Sequence, residues 1–465
     1  MSNKLKKKME FITVEELKKI CKIYGIKGYG RLKKKDLINL MCSSLEINNL
    51  NEYFHNQSKM AFNQLSKKDK KKFGIFFTPE TVVKKAWELL RKYELKLDNV
   101  LEPSSGSCNL LKPILNKDNI NITCVELNKV IYRTLKIKKN KNFFIFNQDF
   151  LKFRTKKKFD LIIGNPPYKV VRKNKVDIEY HQYFTGRPNI FALFLIKSLK
   201  LLNKNGILCF VLPLNFQNCS YYNKLRFFLV ANYQILDVVD CSSETFSETK
   251  QATLILILKN QSEVNNKDFI FTRNNFINIF PREKVLILNN LIKGSTTLHD
   301  LGFTVSTGNV VWNQHKQKLA DFATNSHSTR LIYNFNIKNN ELFFENKKHM
   351  TKKPFLSKLG NNKMLLVVNR GSQGGKYQFN FCLIDVKYEY LLENHLLSID
   401  FVNNLSKAKR LFLFKEIIKS FQKTKTKVFL DTYLGTSTLN CTELKHILPI
   451  YIYNNVKINK KIKIN

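Results

Sequence analysis

No Cys-x-x-Cys pair occurs among the nine cysteines of this 465-residue chain, and no His-x-x-x-His spacing among its eight histidines. Both absences argue against a zinc framework, and no metal is expected. An odd, unpatterned set of cysteines reads as reduced thiols in a cytosolic compartment. No apolar run approaches the roughly 20 residues that span a bilayer, and the first residues, MSNKLKKK, lack the hydrophobic segment of a secretory leader. The expectation is a cytoplasmic protein, or one at a cytosolic site of viral DNA replication if the source is viral; it is neither secreted nor bound to a membrane. Acidic residues are also scarce, 36 against 79 Lys and Arg, for a net charge of +43. Such a balance calls for an acidic partner, nucleic acid ahead of an anionic membrane. The abundance of Lys, Asn and Ile is also that of AT-rich codons, which raises the lysine count. With 43% hydrophobic and 12% aromatic residues the chain is globular, and its length allows two or three domains.

The most informative stretch is KKFDLIIGNPPY, residues 157–168. Phe159 to Ile163 is a short apolar, β-branched run, the pattern of a strand buried on both faces. After Gly164, Pro166 and Pro167 cannot donate ladder hydrogen bonds, so the strand must break into a stiff turn. That turn holds Asn165 and Tyr168 at the carboxyl end of a parallel strand, where open α/β sheets place ligands. The Asn165 amide oxygen and the Pro166 carbonyl are two acceptors that can grip one planar amino group. Drawing its hydrogens out of plane makes the nitrogen nucleophilic without a strong base. Tyr168 offers a flat face for a base. Read alone, the same four residues also suit a structural turn with a core-facing Tyr.

Three upstream strand ends carry carboxylates. Val100–Glu102 runs into Pro103-Ser104-Ser105-Gly106-Ser107-Cys108 and then a helix, the first unit of a Rossmann-like sheet whose loop lets a cofactor approach the backbone. Strand 120–125 ends at Glu126, placed for the two hydroxyls of a ribose. Strand 142–146 precedes Asp149, a candidate acceptor for an adenine amino group, with Phe150 against the ring. Ahead of them, Thr78 is a candidate N-cap with Pro79 at the first helical position, and the first amides of that helix can receive a carboxylate. Each feature alone reads as a turn or cap; four strand-end groups in order are a pattern. Downstream, Asn189 opens a helix to Leu202, Asn203–Gly206 turns into strand 207–212, and strands 235–239 and 252–258 flank Phe246.

Asn-Pro-Pro-Tyr after an Asp-Leu-Ile-Ile-Gly strand resembles motif IV of the amino-methyltransferases, most closely the N6-adenine DNA methyltransferases of the Taq-like, γ-order group. The resemblance implies an α/β fold: a Rossmann-like S-adenosylmethionine-dependent methyltransferase domain, a C-terminal mixed α/β target-recognition domain and a small N-terminal helical motif. It implies S-adenosyl-L-methionine as cofactor, held by Thr78, Glu102 at the ammonium, Pro103, Gly106, Glu126, Asp149, Phe150 and Asn165. Asn165, Pro166, Pro167 and Tyr168 would be catalytic, and Phe246 would stack on the extruded base opposite Tyr168. Cys108 departs from the family pattern, where a second glycine is common. The implied partner is double-stranded DNA, with a separate restriction endonuclease as a second. No Asp…Glu-x-Lys cluster stands in residues 1–70, which are too few for a fused nuclease.

The expected domains are 1–45, 46–70 as a linker, 71–284 catalytic and 285–465 for target recognition. In the first, Thr13 and Glu16 cap a helix with Leu17, Ile20 and Cys21 on one face. A glycine turn leads to a second helix from Arg31 or Leu32 to Leu40. This resembles the SAP DNA-binding motif, with Lys27, Arg31, Lys33, Lys34 and Lys35 as phosphate contacts; a helical hairpin for protein contacts is the competing reading. In the last domain, a connecting helix over 285–292 precedes short strands. Trp312, Asn313, His315 and Lys316 in one loop, and Asn369 and Arg370 in another, are candidate readers of base edges. Competing functions are RNA adenine or protein glutamine methylation, which Asn-Pro-Pro-Tyr also serves, and a non-catalytic DNA-binding protein with the same fold.

Overall fold

A computed structural model describes residues 6, 9–10, 12–45, 78–115, 117–136, 141–244, 251–325, 327–344, 352–371, 377–401, 405–434 and 438–452. The chain divides into two compact units, Met1–Phe269 with Ile279–Pro281, and Ile270–Asn278 with Arg282–Asn465. The segment 270–278 thus belongs with the second unit although it precedes residue 284.

The N-terminal hairpin consists of α1 (Val14–Ile23) and α2 (Lys34–Ser44). Thr13 Oγ1 accepts the Glu16 amide at 3.3 Å and starts α1. Leu17, Ile20 and Cys21 share a small core with Leu37, Ile38 and Met41. The turn depends on Gly25 and Gly28, both at positive φ (67° and 81°). α2 begins at Lys34 rather than at residue 31 or 32, because Lys33 is still extended there.

The rest of this unit is a seven-stranded sheet of order β3-β2-β1-β4-β5-β7-β6. Its strands are β1 (Asn99–Glu102), β2 (Asn121–Val125), β3 (Phe143–Phe146), β4 (Phe159–Gly164), β5 (Leu202–Pro213), β6 (Gln234–Asp240) and β7 (Thr253–Lys259). β1 to β5 pair in parallel; β7 lies antiparallel between β5 and β6. The chain order reverses between β1 and β4, so Glu102 and Asn165 follow neighbouring strands at the crevice where such sheets bind ligands. β4 is buried on both faces as its sequence requires: Leu161 and Ile163 pack with α3 (Glu80–Leu90), Ile162 with α5 (Ile190–Lys200); α4 (Lys129–Lys136) precedes α5 in the chain and α6 (Asn223–Asn232) follows it. Each such side chain contributes roughly 1.5–3 kcal/mol by leaving water. α5 is buried from Phe191 to Leu199 and, apart from Lys197 and Ser198, apolar over that span.

Two predicted features differ. The helix expected after the Gly/Ser loop is only a 3-10 turn, Asn109–Leu111, since Pro113 and the polar run that follows cannot extend it. The Asn203–Gly206 turn is a bulge inside β5, where pairing jumps from Phe159–Leu202 to Leu161–Ile207. A Cβ on Gly206 would meet the Phe159 carbonyl at 2.9 Å.

The second unit holds two four-stranded sheets. One orders β8 (Phe303–Thr307), β15 (Leu396–Phe401), β12 (Leu365–Asn369) and β13 (Phe381–Ile384). The other orders β9 (Leu319–Ala320), β11 (Phe355–Ser357), β10 (Ser328–Ile332) and β14 (Tyr390–Leu392). The helix expected over 285–292 is α7 (Arg282–Leu291). Two further helices, α8 (Lys407–Phe421) and α9 (Thr424–Tyr433), were not foreseen. In α8 the buried Leu413, Phe414, Ile417 and Phe421 do fall at helical spacing. Among the described residues no helix is long and apolar enough to cross a membrane.

Candidate active site

The elbow after β4 is tied to both neighbours. The Asn165 carbonyl accepts from Ser104 Oγ at 3.1 Å, which joins it to the loop after β1. A Cβ on Gly164 would stand 3.2 Å from Pro103 Cδ and 3.3 Å from Phe210, so a side chain before the elbow would press on both neighbours. Pro166 is buried. The Asn165 amide is oriented at both ends: Nδ2 donates to Thr78 Oγ1 at 3.2 Å, and Oδ1 accepts from the Tyr168 hydroxyl at 2.9 Å. That hydroxyl also lies 3.0 Å from the Val211 carbonyl. Its single proton can serve either acceptor. When it turns to Val211, the Asn165 oxygen is released for another donor.

Thr78 does not cap α3. Its hydroxyl is taken by Asn165, its carbonyl accepts from Asn109 Nδ2 at 3.0 Å, and Pro79 occupies the cap position of a helix that starts at Glu80. Tyr168 is partly buried, with its ring edge-on to Phe191 at 6.1 Å; burial drives its phenol well above the usual range. It therefore stays a neutral donor.

The loop after β1 is equally constrained. Glu102 is buried at the strand tip, and Gly106 adopts φ 49°. Glu126 Oε2 accepts the Gly106 amide at 2.9 Å and Oε1 the Asn128 amide at 2.7 Å, so one carboxylate holds the tips of β1 and β2 together. Burial pushes this carboxyl up to about 7, partly opposed by the amides of Asn128 and Gly106. Asp149 Oδ1 accepts the Leu151 amide at 2.9 Å. Phe150 corrects an expectation: it is 1% exposed, packed 4.9 Å from Phe194 under the Lys197 ammonium, and belongs to the core rather than to a cofactor ring. Two apolar residues that sequence reasoning passed over are exposed at neighbouring strand tips: Leu127 is 53% exposed directly after Glu126, and Phe146 is 41% exposed at the end of β3. Their signal was position, an apolar residue at a strand tip beside a carboxylate.

These groups fit a nucleoside-bearing methyl donor. Glu126 retains lone pairs for two hydroxyls, Leu127 and Phe146 give an apolar wall, and Ser107 Oγ is buried with no hydrogen-bond partner among the described residues. Phe246 lies outside the described residues, as do 73–77 of the loop before Thr78, the 46–70 linker and the tail beyond 452.

In the hairpin, Lys27, Arg31, Lys33, Lys34 and Lys35 are all exposed, and Lys34 Nζ reaches the Glu10 carbonyl at 2.7 Å. In the second unit, Trp312, Asn313, His315 and Lys316 share a run of 3-10 turns in which Asn313 and Lys316 are exposed and Trp312 and His315 half-buried. Lys316 and Lys352 each place an ammonium 5.2 Å from the Trp312 ring. Asn369 is a second correction. It is 1% exposed and fully engaged, donating to Gln378 O at 2.6 Å and accepting from Asn380 N at 2.8 Å and Tyr377 OH at 3.2 Å, so it supports its loop rather than reading bases. Arg370 is partly exposed beside it.

A sheet of this order, with acidic and amide groups along the tips of β1 to β4, defines an S-adenosylmethionine-dependent methyltransferase. Residues 23–246 match the Eco57I restriction-modification methylase family. The chain is 26% identical over 370 residues to the modification methylase CviBIII of Paramecium bursaria Chlorella virus NC1A, covering 77% of this chain and 90% of that one. It is 27% identical over 357 residues to the type II methyltransferase M.CvrRI of Paramecium bursaria Chlorella virus XZ-6E, covering 74% and 88%. Its fold is like that of a DrdV–DNA complex, with TM-score 0.51 at 13% identity over 86% of this chain and 57% of that one. The chain is thus similar to DNA methyltransferases of the type II restriction-modification group, and S-adenosylmethionine is its methyl donor.

Proposed function

We propose that the chain methylates the N6 amino group of adenine in duplex DNA, with the target base extruded from the helix. The elbow carries the reading: an oriented Asn165 oxygen stands beside a proline carbonyl and a neutral Tyr168, which together suit an uncharged aromatic amine. That amine is inaccessible inside a stacked duplex, so the base must leave it. Asn165 Oδ1 and the Pro166 carbonyl accept the two amino hydrogens as Tyr168 turns its proton to Val211. Bound at the strand tips, S-adenosylmethionine supplies an electrophilic methyl group. Glu102 faces its ammonium and Glu126 its ribose, while Leu127 and Phe146 shelter its adenine. Phe246 stacks on the extruded base opposite Tyr168.

On this reading residues 1–45 are a SAP-like DNA-binding motif, 46–70 a linker, 71–284 the catalytic domain and 285–465 the target-recognition domain. The loop around Trp312 and the Arg370 side chain read the sequence, and a separate restriction endonuclease is the counterpart. The test is transfer of labelled methyl to duplex DNA, RNA and protein side by side, followed by long-read sequencing of DNA from cells expressing the chain. Label in N6-methyladenine at one sequence context supports the reading; label in RNA or in protein glutamine replaces it.

Glu126 gives a pH dependence. Its carboxyl sits at about 7 in the folded chain, above its ordinary 4.5. The stability it contributes is therefore fully present below the unfolded value and is lost as pH rises through about 7. Binding runs the other way, because ribose hydroxyls need an ionised acceptor. Affinity for S-adenosylhomocysteine is expected to rise about tenfold between pH 6 and pH 8, and Glu126→Gln to flatten that profile in calorimetry. An equally steep profile in the variant would remove Glu126 from the ribose.

A further inference from the structure

The cysteine spacing that argued against zinc is a statement about neighbours in sequence, and the fold makes neighbours of residues far apart in it. Cys124 in β2 lies opposite Glu102 in β1. Cys108, in the loop after β1, adopts φ 58°, a left-handed conformation unusual for a residue with a side chain, and its sulfur lies 3.9 Å from that of Cys124. One ligand atom from each of Glu102, Cys108 and Cys124 lies within 4.8 Å of the others, and all three residues are buried.

We propose that Glu102, Cys108 and Cys124 form a site for one thiophilic divalent cation, zinc or cadmium, and that its occupation excludes the methyl donor. Zinc–sulfur bonds of about 2.3 Å at a tetrahedral angle hold two sulfurs about 3.8 Å apart. The observed separation matches that geometry, whereas a disulfide needs sulfurs about 2.05 Å apart. Thiolates favour zinc and its heavier relatives over magnesium. Binding replaces the two thiol protons, which pass to solvent; the Glu102 carboxylate is the third ligand, and the fourth position is left to water. The exclusion follows from Glu102: it cannot ligate a cation and face the donor's ammonium together. That half rests on the role proposed for Glu102, while the metal site itself does not.

The experiment uses the full chain, freed of metal, with cadmium, zinc or magnesium alone. Cadmium is expected to bind at one tight equivalent with a thiolate charge-transfer band in the ultraviolet, and excess magnesium not to displace it. Saturating zinc should weaken S-adenosylhomocysteine binding by at least about tenfold. Cys108→Gly suits the positive φ and should keep the fold, checked by circular dichroism. Together with Cys124→Ser it should lower cadmium affinity by roughly a hundredfold and abolish the band. A tight equivalent and band that persist in these variants would assign the metal to other cysteines and overturn the site. Metal bound at Cys108 and Cys124 with cofactor affinity unmoved would overturn the exclusion. A metal-free chain that fails to bind S-adenosylhomocysteine would instead count against the cofactor reading, whatever cadmium does.

Discussion

Asn165→Ala is expected to cut methyl transfer to duplex DNA by about 10²–10³-fold or more, the range seen when one preorganised hydrogen-bonding group is removed from a reaction centre. Its affinity for S-adenosylhomocysteine should stay within about threefold of the parent, because the ribose and adenine groups belong to other strand tips. The amide oxygen stands where it does because Thr78 fixes Nδ2 at 3.2 Å and Tyr168 meets Oδ1 at 2.9 Å. Alanine removes the acceptor and leaves the Tyr168 hydroxyl its Val211 partner at 3.0 Å, so the fold loses little. The effect is therefore on chemistry, and single-turnover transfer from a labelled donor measures it. Near-parental transfer by the variant would take the amino grip away from Asn165 and with it the role assigned to the elbow.

Much of that elbow was legible in twelve residues because its constraints are local. An apolar strand, a glycine and two prolines admit few conformations, and the strand-end carboxylates follow from a periodicity of strand and helix that sequence carries well. The strand borders in the sheet agree with the pattern within a residue or two except in β5. There the four residues from Asn203 to Gly206 read as a turn, but they lie inside β5 as a bulge where its pairing with β4 shifts register. Thr78 shows a second limit. By local rules it caps a helix, and only tertiary structure offers its hydroxyl to Asn165, 87 residues away. Phe150 and Asn369 show a third: an aromatic beside a carboxylate, or an amide in a loop, looks functional until its burial is known. Their neighbours Leu127, Phe146 and Arg370 are the ones left exposed or partly so. The Cys108–Cys124 pair was invisible for the same reason, since parallel strand pairing rather than spacing brings it together.

Gly308→Ala is expected to weaken binding to the cognate duplex by at least about tenfold while leaving cofactor affinity as it was. A Cβ at this position would overlap the Glu393 carbonyl oxygen and lie 2.7 Å from the Leu392 oxygen. Both are backbone atoms, so no change of rotamer relieves the overlap. The segment is also sewn to its neighbour: Gly308 N donates to Leu396 O at 2.9 Å, Val310 N to Leu392 O at 3.1 Å, and Asn394 N to Val310 O at 2.9 Å. Moving it apart weakens several of these bonds at about 1 kcal/mol each, on top of an overpacking cost of roughly 1–3 kcal/mol. Trp312 follows four residues later and loses its register with the ammonium groups of Lys316 and Lys352, each 5.2 Å from its ring. Fluorescence anisotropy with cognate and scrambled duplexes separates the outcomes. The cognate complex should weaken more than the scrambled one, because phosphate contacts elsewhere are indifferent to sequence, and S-adenosylhomocysteine calorimetry should show the catalytic unit intact. Equal weakening on both duplexes would make the 308–316 loop a phosphate contact rather than a reader of bases. Unchanged binding on both would take sequence recognition away from the 308–316 loop.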